Sequence, residues 1–308
     1  MSMSAAKEIR NRISSVKDTA KVTDAMYMIA STKLRKMRRN LEATEPYFEE
    51  VRNEIKRVFR VDSDIESRYF YPKNKEDDLP PPYGYLVITS DRGLAGIYNR
   101  AVIRKAENAM AEHGEGPLFV VGEYGRQYFN KSDILPVQDF IFSAEDPTVE
   151  RARIITRRLL ELYDSQQINK LYLIYTDMKN PNSCEVRADR LLPFHRKDFH
   201  NSQEGTNEGT DFEFIPSISE VLNHGIVDYL TGYIYSAMVD SFCCEEDARM
   251  RAMDEAGKNA SELIKELSRQ YNHVRQGAIT SQITETAAGA RAMKAISEKR
   301  ASKSSCKL

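Results

Sequence analysis

From Ser4 to about Phe59 the apolar and small residues return at alternating intervals of four and three: Ile9, Ile13, Val16, Ala20, Thr23, Tyr27, Ala30, Leu34, Met37 and Leu41. A repeat of 3.5 residues keeps one stripe on the same side of a helix, which is the pattern of a coiled-coil seam. Pro46 lacks an amide donor and is expected to kink or break this helix.

After the loop PKNKEDDLPPPYG the period changes. Tyr85–Thr89 is a continuous apolar run that reads as a strand, followed by a glycine-bearing turn and a helical stretch to about Met110. Further strands are expected at Leu118–Val121, Val137–Phe142, Lys170–Thr176 and Glu185–Leu192, and an amphipathic helix at Thr148–Ser165. Strands alternating with helices imply a small α/β domain with a mainly parallel sheet.

Beyond Pro216 there is no further proline. Ile226, Leu230, Tyr233, Ala237, Met253, Ala260, Leu263, Leu267, Val274 and Ile279 recur at helical spacing through Ser217 to about Met293. A helix of that extent cannot bury its face on one small domain, so the other end of the chain and other polypeptides must support it. The expected fold is α/β: a long antiparallel coiled coil of N- and C-terminal helices with an inserted Rossmann-like domain. The boundaries are 1–60 for the first shaft helix, 70–211 for the inserted domain, 212–293 for the second shaft helix and 294–308 for a basic tail.

Composition narrows the function. Lys+Arg 45 against Asp+Glu 46 is balanced, which argues against a general nucleic-acid binder. The most apolar stretch, Val221–Val239, is interrupted by His224 and Asp228, so no membrane span is expected. The charged start MSMSAAKEIRNRI does not read as a signal peptide. Cys184, Cys243, Cys244 and Cys306 fit neither a disulfide framework nor a zinc site, and read as free thiols. SDRGLAG follows a strand and precedes a helix, but its spacing is not GxGxxG, and GxxxxGK[ST] is absent from the chain. Neither a nucleotide site nor a metal site is expected, and His195 and His200 have no convincing ligand partners.

Three long blocks carry a resemblance. Residues 6–37 (AKEIRNRISSVKDTAKVTDAMYMIASTKLRKM), 88–99 (ITSDRGLAGIYN) and 244–290, from CEEDARMRAMDEAGKN to ITETAAGA, resemble the N-terminal helix, central signature and C-terminal helix of ATP synthase gamma subunits, in that order. The resemblance implies a rotor shaft inside three alpha and three beta subunits, with a foot on epsilon and the c-ring. It implies no catalytic residue and no cofactor on this chain, and a peripheral place on the cytoplasmic side of a bacterial plasma membrane. Contacts to alpha or beta subunits are implied at Met26, Lys33, Arg35, Lys36, Asp91, Arg92, Arg275, Gln276, Thr280 and Gln282, and foot contacts at Phe212 and Phe214. Gln282 stands where the family usually has Glu. The loop from His200 to Asp211 lacks the cysteine pair of the chloroplast redox switch, so thiol regulation of that kind is not expected.

Ala278–Ala290 holds one acidic residue, Glu285, and no basic one. A turning axle should avoid fixed ion pairs, while a small-residue helix packed on a neighbour would look the same. The competing reading of the whole chain is a freestanding coiled-coil scaffold with a nucleotide-binding-like α/β module.

Overall fold

The computed structural model describes residues 3–61, 65–71, 79–180, 183–199, 214–215 and 217–305. In chain order the elements are α1 (Met3–Val61), β1 (Tyr83–Ile88), α2 (Tyr98–His113), β2 (Leu118–Val121), α3 (Glu123–Phe129), α4 (Val149–Asp164), β3 (Lys170–Asn180), β4 (Ser183–Leu192) and α5 (Ile218–Ser305). The chain divides into two compact units: Met28–Ala252, and Met1–Tyr27 together with Met253–Leu308.

In the larger unit the four strands form one sheet in the order β2-β1-β3-β4. β1 pairs parallel with β2 (Leu86↔Phe119) and with β3 (Tyr85↔Tyr172), while β4 returns antiparallel on β3 (Ile174↔Ala188). Side chains alternate between the two faces of a strand, and both faces of β1 are covered. Leu86 and Ile88 join Phe119, Ile155 and Leu159 of α4, Phe59 of α1 and Phe242 of α5 in one apolar cluster. Tyr85 and Val87 join Val120, Phe129, and Val102 and Ala106 of α2 in the other. Double coverage explains why these strands read as continuous apolar runs rather than alternating ones. Thr148 caps α4 by accepting from the Arg151 amide at 3.2 Å, satisfying a donor that the first turn leaves free.

Three sequence expectations change. Val137–Phe142 is not a strand: its backbone pairs with β2 only at the isolated bridge Val121↔Phe142, next to a second bridge at Leu118↔Pro136. Its chain turns at Phe140, whose amide donates to the Val137 carbonyl, and a turn of that kind interrupts a ladder. Pro46 does not break α1; the packing of neighbouring turns, including Leu41, Phe48 and Val51, on the larger apolar cluster outweighs one lost amide. Cys184 and Cys244 form a disulfide with Cα atoms 6.0 Å apart, and Cys243 is a buried free thiol. The bridge joins positions 60 residues apart, so it is created by packing α5 beside β4 and leaves no local spacing to read. Cys306 lies outside the described residues.

Within this unit α1 and α5 run antiparallel. A Cβ on Gly225 would meet Ile55 at 3.5 Å, and one on Gly232 would fall 2.2 Å from the Phe48 ring. At Gly232 only a residue without a side chain lets the helices approach so closely, whereas Gly225 leaves room for a methyl group.

The smaller unit holds the first turns of α1 and the last three-fifths of α5. Gly257 faces Asp24 and Thr23. Among the less exposed positions of α5, Met253, Gly257, Ala260, Ile264, Leu267, Tyr271, Val274 and Ala278 are spaced alternately by four and three. On α1 Ile9, Ile13, Val16, Ala20 and Thr23 are less exposed, as the sequence pattern predicts, together with Ala5, Ala6 and Met26. Leu263, Ile279 and Tyr27, expected on the same stripe, are 36%, 43% and 40% exposed. The 3.5-residue phase set from Met253 passes through Ile264 and Ala278 instead, one residue to either side. No described helix is long and apolar enough to cross a membrane.

Candidate partner-binding surfaces

The turn after β1 is built from its own polar side chains. The Ser90 amide donates to Asn99 Oδ1 at 3.0 Å, Asn99 Nδ2 donates to Ser90 Oγ at 2.7 Å, and Ser90 Oγ donates to the Arg92 carbonyl at 2.6 Å. Asp91 accepts from the Glu123 amide with one oxygen, and from Ser143 Oγ and the Glu145 amide with the other. Leu94 and Gly96 take φ of 65° and 56°. The left-handed region suits Gly96 and is uncommon for a branched side chain such as Leu94. The result is a pinned turn that holds Leu94 and Ile97 out in solvent, 63% and 79% exposed.

Behind the turn lies a charge network. Lys33 of α1 contacts Glu145 at 2.5 Å and Glu246 at 3.9 Å. Arg249 of α5 binds Glu245 at 2.5 Å and Glu246 at 2.7 Å, and donates to the Gly93 carbonyl at 3.4 Å. Arg92 closes on Glu145 from the solvent side at 3.3 Å. Lys33 beside it holds the Glu145 carboxyl below the usual carboxylate range. Burial lifts the Glu245 carboxyl to about 7, against the opposing pull of Arg249.

The structure thus brings Lys33, Asp91 and Arg92 into one internal network, with Lys36 beside it, 3.9 Å from Asp146. Lys33 and Asp91 spend their polar atoms within the chain. Arg92 and Lys36 keep most of their side-chain surface, 76% and 66% exposed. Arg35 is exposed and donates to the Ser31 carbonyl of its own helix. Met26 is half-buried in the smaller unit. Phe214 packs against the larger apolar cluster, and Phe212 lies outside the described residues. Sequence reading missed Glu145, Glu246, Arg249 and Asn99. A signal for two of them existed: Glu246 and Arg249 stand three apart on a helix, with Glu245 four residues before Arg249. Nothing in the sequence placed Glu145 beside them.

Arg275, Gln276, Thr280 and Gln282 lie together on α5 in the smaller unit, and all are exposed. From Ile279 to Lys294 every residue is exposed, including Ile279, Ile283 at 64% and Met293 at 74%. The described residues of α1 supply no cover for this stretch.

The fold is that of ATP synthase central-stalk chains. It matches a Euglena gracilis mitochondrial ATP synthase structure, titled OSCP/F1/c-ring, with TM-score 0.61 at 14% identity, covering 96% of each chain. A Euglena gracilis rotor structure gives TM-score 0.59 at 14% identity, over 90% of this chain and all of that one. A family model described as ATP synthase matches residues 5–293. The ATP synthase gamma chain of Ruminiclostridium cellulolyticum is 36% identical over 292 residues, 93% of this chain and 98% of that protein. That of Acetivibrio thermocellus is 34% identical over 297 residues, 95% and 100% of the two chains. The chain belongs to the ATP synthase gamma chain family.

Proposed function

We propose that this chain is the central rotor shaft of an F-type ATP synthase, and that it carries no catalytic site of its own. In this reading α1 and α5 wind into an antiparallel coiled coil, and the Rossmann-like sheet body between them in sequence is the foot. Ion flow turns a c-ring and the shaft together, and the shaft drives three catalytic sites on beta subunits through different conformations. Its partners are three alpha and three beta subunits, an epsilon subunit and the c-ring. The chain sits peripherally on the cytoplasmic side of a bacterial plasma membrane.

One observation carries this reading beyond family membership. Ile279–Ala290 is a helical stretch with apolar side chains, a single charge and no cover from the described residues. Contiguous exposed apolar surface marks a docking site, and the near absence of charge lets a surrounding sleeve slide without ion pairs that would have to break each turn. Arg275, Gln276, Thr280 and Gln282 flank or lie within this stretch and are assigned to contacts with beta subunits. Met26, Arg35, Lys36 and Arg92, together with the less accessible Lys33 and Asp91, form the second set of alpha and beta contacts. Exposed ion pairs contribute about 0–1 kcal/mol each, enough to bias an angle and weak enough to release. Phe212 and Phe214 are assigned to the foot.

The test is the double substitution Arg275→Ala with Gln276→Ala in the reconstituted complex. ATP synthesis driven by an ion gradient should fall while the subunits still co-purify. Unchanged synthesis would remove these two residues from the contact surface.

A further inference from the structure

We propose that the Cys184–Cys244 bridge is a reversible redox-modification site, opened by a dithiol reductant and closed by a low-molecular-weight disulfide. Three observations place it. Cys184 is exposed on β4, the edge strand, which among the described residues has a hydrogen-bonded neighbour only on the β3 side. Cys244 is 2% exposed on α5, packed in the second apolar cluster with Tyr98 and Val102 of α2 and Ile174 of β3. Cys243, next to it, faces the other apolar cluster, and burial pushes its thiol up to about 12. The first sulfur is open to attack, the second is shielded, and the neighbouring thiol is held protonated and unreactive. An asymmetric pair of this kind directs an incoming thiolate to one sulfur only.

The exchange balances as follows. A thiolate of the dithiol attacks Cys184 Sγ, forming a mixed disulfide while the Cys184–Cys244 bond breaks. The electron pair leaves on Cys244 Sγ, which takes a proton. The second thiol of the reductant then attacks its own sulfur in the mixed disulfide, closing a cyclic disulfide and releasing Cys184 as a thiolate. The bridge is reduced and the dithiol is oxidised. Closing runs the other way: the Cys184 thiolate attacks a low-molecular-weight disulfide and releases one of its thiols, then Cys244 Sγ loses its proton, attacks Cys184 Sγ in the mixed disulfide and releases the second thiol. Disulfides in chains of a reducing compartment are usually transient or redox-sensing, so this step of the argument rests on the cytoplasmic placement proposed above.

Opening the bridge has a mechanical consequence. The first residues of β4, which pair with the end of β3 at Met178↔Cys184 next to a register shift, would keep only that one ladder. The bridge is their covalent tie to α5. Reduction therefore frees the outer corner of the sheet from α5, while the rest of the sheet remains packed.

The experiment uses the full-length chain, purified without thiols and probed with dithiothreitol. Of its four cysteines, two should take iodoacetamide when the untreated chain is unfolded in the reagent. All four should take it when the folded chain is first incubated with dithiothreitol. Oxidised glutathione, added after removing the reductant, should return the count to two. Hydrogen exchange of the β4 amides near Cys184 should speed up at least threefold on reduction, and Cys184→Ser should show the fast rate with or without reductant. Four labels before reduction, two after it, or unchanged β4 exchange would each overturn the proposal. None of these readouts involves ATP or partner subunits, so their failure leaves the rotor reading standing.

Discussion

The sheet body and the last third of α5 end up in opposite situations. In the larger unit, β1 and β2 are covered on both faces, and even charges such as Glu246 and Arg249 are buried and paired. In the smaller unit burial follows a single stripe, fades after Leu267, and ends at Ala278. A region that supplies all its own neighbours is stable by itself. One that exposes Ile283 and Met293 along a bare helix depends on surfaces supplied by others.

That contrast can be broken most forcefully in the charge network. Glu246→Ala removes the carboxylate shared by Arg249 and Lys33, leaving the buried Arg249 short of a partner, and should destabilise the chain by roughly 3–5 kcal/mol. Urea unfolding of the purified chain measures it, and a loss under 1 kcal/mol would mean the network is solvated. Next comes the helix crossing. Gly232→Ala drives a methyl group into the Phe48 ring and should cost about 1–3 kcal/mol, whereas Gly257→Ala, whose nearest atom is 3.6 Å away, should be neutral or slightly stabilising. Thermal unfolding of the two variants side by side tests the difference.

A smaller effect is expected from pH. Burial, with Asp177 and Glu45 nearby, lifts the Asp240 carboxyl from 3.8 to about 7. The folded chain then holds this proton where the unfolded chain has lost it, so stability should fall as pH rises from about 4 to about 7. Asp240→Asn should flatten that slope, by on the order of 1–3 kcal/mol across the interval. A slope unchanged in the variant would assign the titration to another group. The smallest effect belongs to the bare helix: Ile283→Ser should change the stability of the isolated chain by less than about 0.5 kcal/mol and yet weaken co-purification with alpha and beta subunits.

What could be read from sequence follows from what each element packs against. The 3.5-residue stripe from Ile9 to Thr23 was legible because only one helix face is covered there. β1 and β2 were legible because double burial makes an uninterrupted apolar run. Val137–Phe142 misled because its apolar residues fill space beside β2 without entering the ladder. The phase of α5 could not be fixed at Leu263 or Ile279, since apolar residues lie on both sides of the stripe and only the α1 partner chooses between them. Of the candidate surface, Arg275, Gln276, Thr280 and Gln282 were placed through family resemblance and are exposed. Lys33 and Asp91 read equally well as free charges, and their partners Glu145, Ser143 and Glu246 lie more than fifty residues away in sequence. The disulfide was illegible for the same reason.

The central claim is that the end of α5 is covered by other polypeptides. Ile283→Cys, in a chain whose Cys306 is replaced by Ser, can be timed with a maleimide in the isolated chain and in the assembled complex. Labelling at least tenfold slower in the complex is the expected result. Equal rates would mean that this helix stands in open solvent, and a shaft enclosed by partner subunits would be contradicted.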